Sequence, residues 1–242
     1  MRTPIKERCI KILLFLLMGS AWHRVIASPF VKHSTVVFQA GGFNASQGEA
    51  QDINIAGLIG NHYSLGNGHD NNILLGLGYF VDGLTKNNLT VLYGINAFYF
   101  GPTSVNGKVI QEQMFTNLAY HYSLNNFPVY AAVKMFLTQD QNDVTFDLGI
   151  GPNFIRASSY NEKSLDGITV PDNAFTGETN TALSFTAGVG VKFNHLLSLP
   201  CELSYRFFYL GEGSLKKNNS QLLDTLKTGN NYANALIFSI YA

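Results

Sequence analysis

The chain has 242 residues, of which 13% are charged and 13% are aromatic, and it carries 23 glycines and no formal net charge. The charged share is about half that of an ordinary soluble domain, which is too little to cover a soluble β-fold with a polar surface. A barrel in lipid instead needs an apolar exterior. A basic nucleic-acid footprint is absent, so we expect no nucleic-acid partner.

The first 27 residues have the layout of a cleaved secretory signal peptide. A basic start precedes an apolar run over residues 12–18, and the segment ends in Val25, Ile26 and Ala27. The run is too short to cross about 30 Å of hydrocarbon as a helix. We predict a signal peptide over residues 1–27 and an outer-membrane barrel over residues 28–242, with net charge minus four and Cys201 as its one cysteine.

After this segment, apolar residues alternate with polar or small ones in eight segments. The segments are residues 34–43, 71–81, 89–100, 128–138, 143–155, 181–193, 200–210 and 231–242. Odd-numbered connectors have about twenty residues or more and even-numbered ones about four to seven, and outer-membrane barrels likewise have long outer loops and short periplasmic turns. The pattern predicts an all-β fold, a single eight-stranded antiparallel transmembrane β-barrel with both termini in the periplasm.

Two further extended segments leave ten strands as the alternative. Residues 52–63 and 111–124 also have strand-like patterns. Counting them as spanning strands would make the ten-residue stretch after Phe100 a periplasmic turn and residues 123–128 an outside loop. We therefore favour eight strands, with these two segments extending strands above the membrane.

The clearest alternation lies in residues 143–154. Every second residue from Val144 to Phe154 is apolar or proline, and the residues between them are polar or glycine. We expect the apolar face to contact lipid and the other face to line the lumen. Glycines that recur as Gly-x-Gly are interpreted as lumen-facing, because none has the context of a nucleotide loop; they are Gly76/Gly78, Gly149/Gly151 and Gly188/Gly190.

Charged residues on the lumen face can be paired from the strand register. Counting back from the short turns places Lys134 opposite Asp147 and Lys192 opposite Glu202, with Arg206 further along the strand from Glu202. A buried charge without a partner is costly, so we expect these residues to form charge pairs. The interior of an eight-stranded barrel is just wide enough for side chains, so we expect a plugged lumen.

Four stretches carry a resemblance to a known class of proteins: "VTFDLGIGPNFIRASSY", "LSFTAGVGVKF", "CELSYRFFYLGEGSL" and "YANALIFSIYA". The chain resembles bacterial outer-membrane β-barrels of the opacity-protein or OmpA-transmembrane-like class, particularly surface barrels of Legionella and Coxiella. It departs from the class at its end, where Ala242 stands in place of the usual terminal aromatic residue. We also expect no peptidoglycan-binding domain after the barrel, so the resemblance does not imply a tether to the cell wall.

The resemblance implies a structural surface protein or antigen in the outer membrane of a Gram-negative bacterium. Its long loops would contact a host or another surface, and its other partners would be outer-membrane lipid and lipopolysaccharide. We expect a monomer without cofactor, metal site or catalytic residues. A small-solute pore is the alternative function.

A lipid A-modifying enzyme is a less favoured alternative. Lipid A deacylases are similar in one place, where His121 and Ser123 provide a His-x-Ser arrangement in which histidine would activate the hydroxyl. The next acid, Asp140, lies at the periplasmic end, and His62 and Ser64 repeat the same pattern. The interpretation that we prefer is a set of residues at the membrane interface.

The last long loop offers candidate contact residues. Leu222, Leu223 and Leu226 have helical spacing between polar flanks, which indicates a short amphipathic helix presented to a partner or to lipid headgroups. Packing of these leucines onto the loop itself is the alternative, which we favour slightly over the presented helix. The preceding long loop, residues 156–180, is polar and shows no apolar cluster in sequence.

Overall fold

The computed structural model describes residues 34–139, 142–194 and 199–242, and the expected signal peptide, residues 1–27, lies outside them. Within these ranges no helix is long and apolar enough to cross a membrane. The strands are β1 (Ser34–Ser46), β2 (Gln51–Ile53), β3 (Asn61–Asn67), β4 (His69–Lys86), β5 (Leu89–Gln111), β6 (Phe115–Gln139), β7 (Asn142–Ser164), β8 (Phe175–Thr176), β9 (Glu178–Phe193), β10 (Cys201–Lys217) and β11 (Leu226–Tyr241).

Eight of these strands close into a ring. The order around it is β1, β4, β5, β6, β7, β9, β10 and β11, and β11 pairs again with β1, each pair antiparallel. The predicted eight-stranded barrel is confirmed. The ten-strand alternative is wrong, because residues 111–124 continue β5 and β6, whereas residues 52–63 form parts of the β2–β3 hairpin, which pairs with the end of β5 beyond the ring.

Three strands are much longer than a bilayer requires. β5, β6 and β7 have 23, 25 and 23 residues, whereas a tilted transmembrane strand needs about 9–11. Their far halves continue the barrel past the membrane, as the sequence predicts for residues 111–124. Most residues of the four long loops therefore belong to β-strands.

The exterior of the spanning part is apolar. On β7, Phe146, Leu148 and Ile150 are exposed, while Thr145 and Asp147 are buried, so the predicted assignment of faces is confirmed. The same alternation around the ring gives a lipid-facing belt that includes Ile73, Leu75, Leu77, Tyr93, Ile95, Phe127, Phe154, Leu183, Phe185, Val189, Leu203, Tyr205, Leu236 and Phe238.

One end of the barrel holds both chain termini of the described domain and the short connections. The β4–β5 turn consists of Asn87 and Asn88, and Asn87 takes φ 51°, a left-handed conformation that asparagine tolerates. Ala242 exchanges two backbone hydrogen bonds with Val36, at 2.9 and 3.0 Å. The last residue is thus sheet-paired, although it is not aromatic. This end is periplasmic in outer-membrane barrels.

Aromatic side chains fill the middle of the lumen. Phe43 meets Phe100 edge to face at a ring-centroid distance of 4.9 Å, and Phe208 meets Phe98 at 5.2 Å and Phe100 at 5.0 Å. Tyr130 lies beside Phe98 and Phe208. We call these five residues the aromatic plug. Their burial shows that the lumen is packed at this level.

Lumen-facing glycines make space for the aromatic plug. A Cβ on Gly76 would lie 2.6 Å from the ring of Phe98, which is too close for any side chain. Gly149 similarly faces Tyr130, where a Cβ would come within 3.0 Å of the tyrosine Cβ. The Gly-x-Gly pairs of the sequence therefore have a packing role in this narrow barrel.

A second apolar core lies inside the long-loop end. It combines residues from the extended parts of β5, β6 and β7 with residues of the other three loops, and it holds the loops as one folded body. Its buried members are Ile53, Tyr63, Val105, Val109, Leu118, Tyr120, Tyr122, Leu124, Ile155, Ala157, Phe175, Leu215, Leu222 and Leu226.

Candidate functional site

The lumen below the aromatic plug contains a balanced charge network. Lys134 donates hydrogen bonds to Asp147 at 2.9 Å and to Glu202 at 2.8 Å, and Arg206 lies 2.7 Å from Asp147. The register places Lys134 opposite Asp147, as the sequence predicts. Because each buried charge has an opposite charge within contact distance, the cost of removing it from water is offset.

Lys192 and Glu202 differ from the predicted pairing. They lie opposite each other in the register, but Lys192 Nζ is 3.7 Å from Asp143 and Glu202 pairs with Lys134 instead. Lys192 also lies 4.7 Å from the centroid of the Phe136 ring. Lys134 reaches across the narrow lumen to Glu202, and Lys192 contacts Asp143, its register partner on β7, in place of Glu202 on β10.

Tyr241 also belongs to this network, although it is not among the charged residues that the strand register pairs. Its hydroxyl donates a hydrogen bond to Glu202, and its ring lies 5.1 Å from Lys192 Nζ. The alternation of residues along β11 indicates that Tyr241 faces the lumen. Leu236 and Phe238 face outward, whereas Ile237, Ser239 and Tyr241 face inward. Tyr241 thereby closes the network on the periplasmic side.

At the opposite end, hydrogen bonds join the tips of three loops. The backbone N–H of Glu112, in the β5–β6 turn, donates to the Asn61 side chain at 3.1 Å. The Asn117 amide donates to Thr169 at 3.1 Å, and the Leu165 N–H donates to the Asn117 carbonyl at 2.7 Å. The first three long loops therefore form one platform.

Seven apolar side chains project from this platform, and we call them the tip residues. Ile168 and Val170 are the most exposed, at 86% and 77%. Residues 156–180 show no apolar cluster in sequence, and sequence patterns do not predict the tip residues as a group, because they are divided among three loops as single residues or adjacent pairs. The tip residues are Leu58, Ile59, Met114, Phe115, Leu165, Ile168 and Val170.

Polar contacts hold the third loop in place beneath its tips. Buried Glu162 accepts hydrogen bonds from the N–H groups of Asn173 and Ala174, at 2.9 and 3.3 Å, and from the Tyr160 hydroxyl at 2.5 Å. Burial raises the pKa of Tyr160 far above its ordinary value, so the phenol stays protonated and donates. Asp166 accepts from the side chain and N–H of Thr169, and these hydrogen bonds hold the pKa of Asp166 well below its usual range.

The helix predicted from Leu222, Leu223 and Leu226 does not form. Leu222 is buried and bridges to Ile55 in the first loop, and Leu226 is buried opposite Leu215 at the start of β11. In this short segment, pairing with the neighbouring loop determines the backbone conformation, although the spacing of the leucines matches a helix. Leu222 and Leu226 are therefore not contact residues, and Leu223 alone of the three is exposed.

His121 lies on the outward face of β6, above the lipid-facing belt. Its Nδ1 is 2.9 Å from the Asn106 side-chain oxygen, so an amide takes the place of the orienting carboxylate that a deacylase-like site requires. The pairing with β7 slips between His121 and Ser123. Asp140 lies outside the described residues. Among the residues that the structure describes, no three His, Cys, Asp or Glu side chains are grouped so as to hold a metal ion.

No protein-family model matches the chain, and no curated relative is found. Similar folds occur among solved structures. The outer membrane protease OmpT from Escherichia coli has a TM-score of 0.50 at 9% identity, with 90% of this chain and 98% of that chain covered. OprG, an outer membrane protein from Pseudomonas aeruginosa, has a TM-score of 0.48 at 11% identity, with 87% and 96% covered. Neisserial surface protein A has 0.41 at 10% identity, with 86% and 96% covered.

At these identities the likeness concerns the fold. The closed ring leaves no strand edge unpaired in the spanning region, and an apolar belt surrounds the ring. A sheet that crosses a bilayer must meet both of these conditions. The chain is therefore an eight-stranded β-barrel of the bacterial outer membrane.

Proposed function

We propose that this barrel is a structural surface protein with a sealed lumen, which contacts a host or another surface through its long loops. The observation that carries the proposal is the exposure of the tip residues on a platform fixed by hydrogen bonds and a second core. Apolar side chains grouped at one exposed place mark interaction sites in proteins. The proposal includes no catalytic step.

The packed lumen supports contact over transport. A small-solute pore needs a polar path, and the aromatic plug fills the level between the charge network and the loops with buried rings. The periplasmic mouth does contain a cavity of about 430 Å³, lined by Lys192, Phe136 and Tyr241 among others. It lies on the periplasmic side of the aromatic plug, so it does not favour a pore.

The proposal predicts that a charge at a tip weakens contact. Ile168→Asp replaces the most exposed tip residue, and we expect adherence of barrel-expressing cells to host cells or hydrophobic surfaces to fall about tenfold. The reason is that burying an isoleucine contributes about 1.5–3 kcal/mol, and 1.4 kcal/mol is tenfold in affinity. Adherence is measured as bound cells at equal surface expression.

Asn219→Asp is the matched control, because it adds the same charge to an exposed loop residue and keeps the oxygen that accepts a hydrogen bond from Gln221. The control should adhere like the parent protein. Equal adherence of the Ile168→Asp variant, the control and the parent would contradict a role for the tip residues.

A further inference from the structure

A groove runs along the outer wall of the barrel at the upper edge of the lipid-facing belt. Its volume is about 340 Å³, and it crosses the outward faces of β5, β6, β7 and β9. We call it the Arg156 groove. Its outward-facing residues are Tyr99, Asn125, Phe127, Phe154, Arg156 and Thr179.

The strand register arranges these residues in two rows. Phe127 lies opposite Phe154, and Asn125 lies opposite Arg156, which in turn lies opposite Thr179 on the next strand. The phenylalanines are the last rings of the belt, and the polar row begins two residues further along the same strands. The groove is thus continuous with the surface that already contacts lipid chains.

Arg156 is available to a ligand. Within the described part of the chain, its guanidinium makes no ion pair and no hydrogen bond with another side chain. Glu178 is close in sequence to Thr179, but it lies opposite Ala157 and turns inward toward the Ser214 hydroxyl, at 3.4 Å. No acid lines the groove among these residues, so its charge is positive.

Guanidinium groups match phosphate oxygens with two parallel hydrogen bonds, and Asn125 and Thr179 add neutral hydrogen-bonding groups on either side. We propose that the Arg156 groove binds the phosphate of an outer-leaflet lipid whose acyl chains lie against Phe127 and Phe154. The site is on the outer wall, away from the tip residues, and goes beyond the proposed contact function.

A second groove lies further along β5, β6 and β7, toward the loops, and would receive the sugar headgroup of the bound lipid. It has a volume of about 380 Å³ and is lined by Asn106, His121, Asn161 and Lys163, among others. His121 stands four residues from Asn125 on β6, or roughly 13 Å along the strand. Amide and imidazole groups followed by a lysine suit a phosphorylated glycolipid better than a small headgroup.

The test uses the full mature barrel in phosphatidylcholine nanodiscs with a few mole per cent of lipid A, and it measures retained lipid A by native mass spectrometry. We expect Arg156→Gln to lower the affinity for lipid A about tenfold, because it removes a charged contact that has two hydrogen bonds. Arg156→Lys should recover part of the affinity, because it restores the charge without the planar fork. Lys86→Gln, at an exposed lysine on the periplasmic end of β4, should bind like the parent barrel.

Two further arms distinguish the source of the phosphate. Dephosphorylated lipid A should bind as weakly as lipid A binds to the Arg156→Gln barrel, and millimolar inorganic phosphate should leave bound lipid A in place. Unchanged affinity in Arg156→Gln that folds normally, by heat-modifiable gel mobility, would overturn the proposal. So would equal binding of the dephosphorylated lipid, or displacement by inorganic phosphate, which would identify a free-phosphate site.

Discussion

Single residues in the lumen show how this barrel keeps ionised groups in a narrow interior. Lys134 is completely buried and forms ion pairs with two carboxylates on different strands, Asp147 and Glu202. Asp147 also has Arg206, whereas among the described residues the second partner of Glu202 is the neutral Tyr241 hydroxyl. Loss of Lys134 therefore leaves Glu202, a completely buried carboxylate, without an opposite charge in the described part of the chain.

Replacing Lys134 with methionine should destabilise the barrel by about 3–5 kcal/mol, which is the usual cost of breaking a buried ion pair by removing one partner. The measurement is urea unfolding of the barrel in lipid vesicles. The matched control is Lys192→Met, because Lys192 keeps 18% of its side chain exposed and lies 3.7 Å from Asp143. We expect a clearly smaller loss there, and equal losses would show that the Lys134 contacts do not matter.

The strands show which parts of the structure follow directly from sequence. On β7 the period-2 pattern predicts which side chains meet lipid, and burial agrees from Val144 to Phe154. The short turns also give the pairing of neighbouring strands, including Lys134 with Asp147. Local patterns succeed here because a strand has only two faces and a short turn leaves few registers.

The assignment of faces on β7 makes a direct prediction. Leu148→Arg places a charge on the lipid-facing belt and should destabilise the folded barrel by about 2–4 kcal/mol near the bilayer midplane. Thr145→Ser, on the buried lumen face of the same strand, should be nearly silent, because it keeps the hydroxyl. Both are measured by the yield and reversibility of folding into bilayers. Similar effects for the two variants would contradict this assignment of faces.

At the scale of the whole molecule, the features that sequence patterns missed are those that depend on how distant segments meet. Lys134 and Glu202 are 68 residues apart in sequence. Their contact depends on the barrel radius, which cannot be predicted from the residue pattern of single strands. The spacing of Leu222 matches a helix in sequence, and its bridge to Ile55 in another loop has no local signal. The tip residues likewise come together only after three loops are held in one platform.

We propose that the whole barrel is a sealed scaffold that carries a contact surface and does not pass solutes. The charge network, the aromatic plug and the second core occupy successive levels of the interior, and the loops continue the sheet beyond the membrane. A scaffold of this kind holds exposed side chains in fixed positions, which suits recognition by loops.

Single-channel recording tests this central claim most directly. The mature barrel, refolded and inserted into planar lipid bilayers, should give no stepwise conductance at any voltage that the bilayer tolerates, because the aromatic plug fills the lumen. Insertion is verified in the same membranes by heat-modifiable gel mobility of the recovered protein. Reproducible unitary conductance steps from verified barrels would contradict the sealed lumen and favour the small-solute pore.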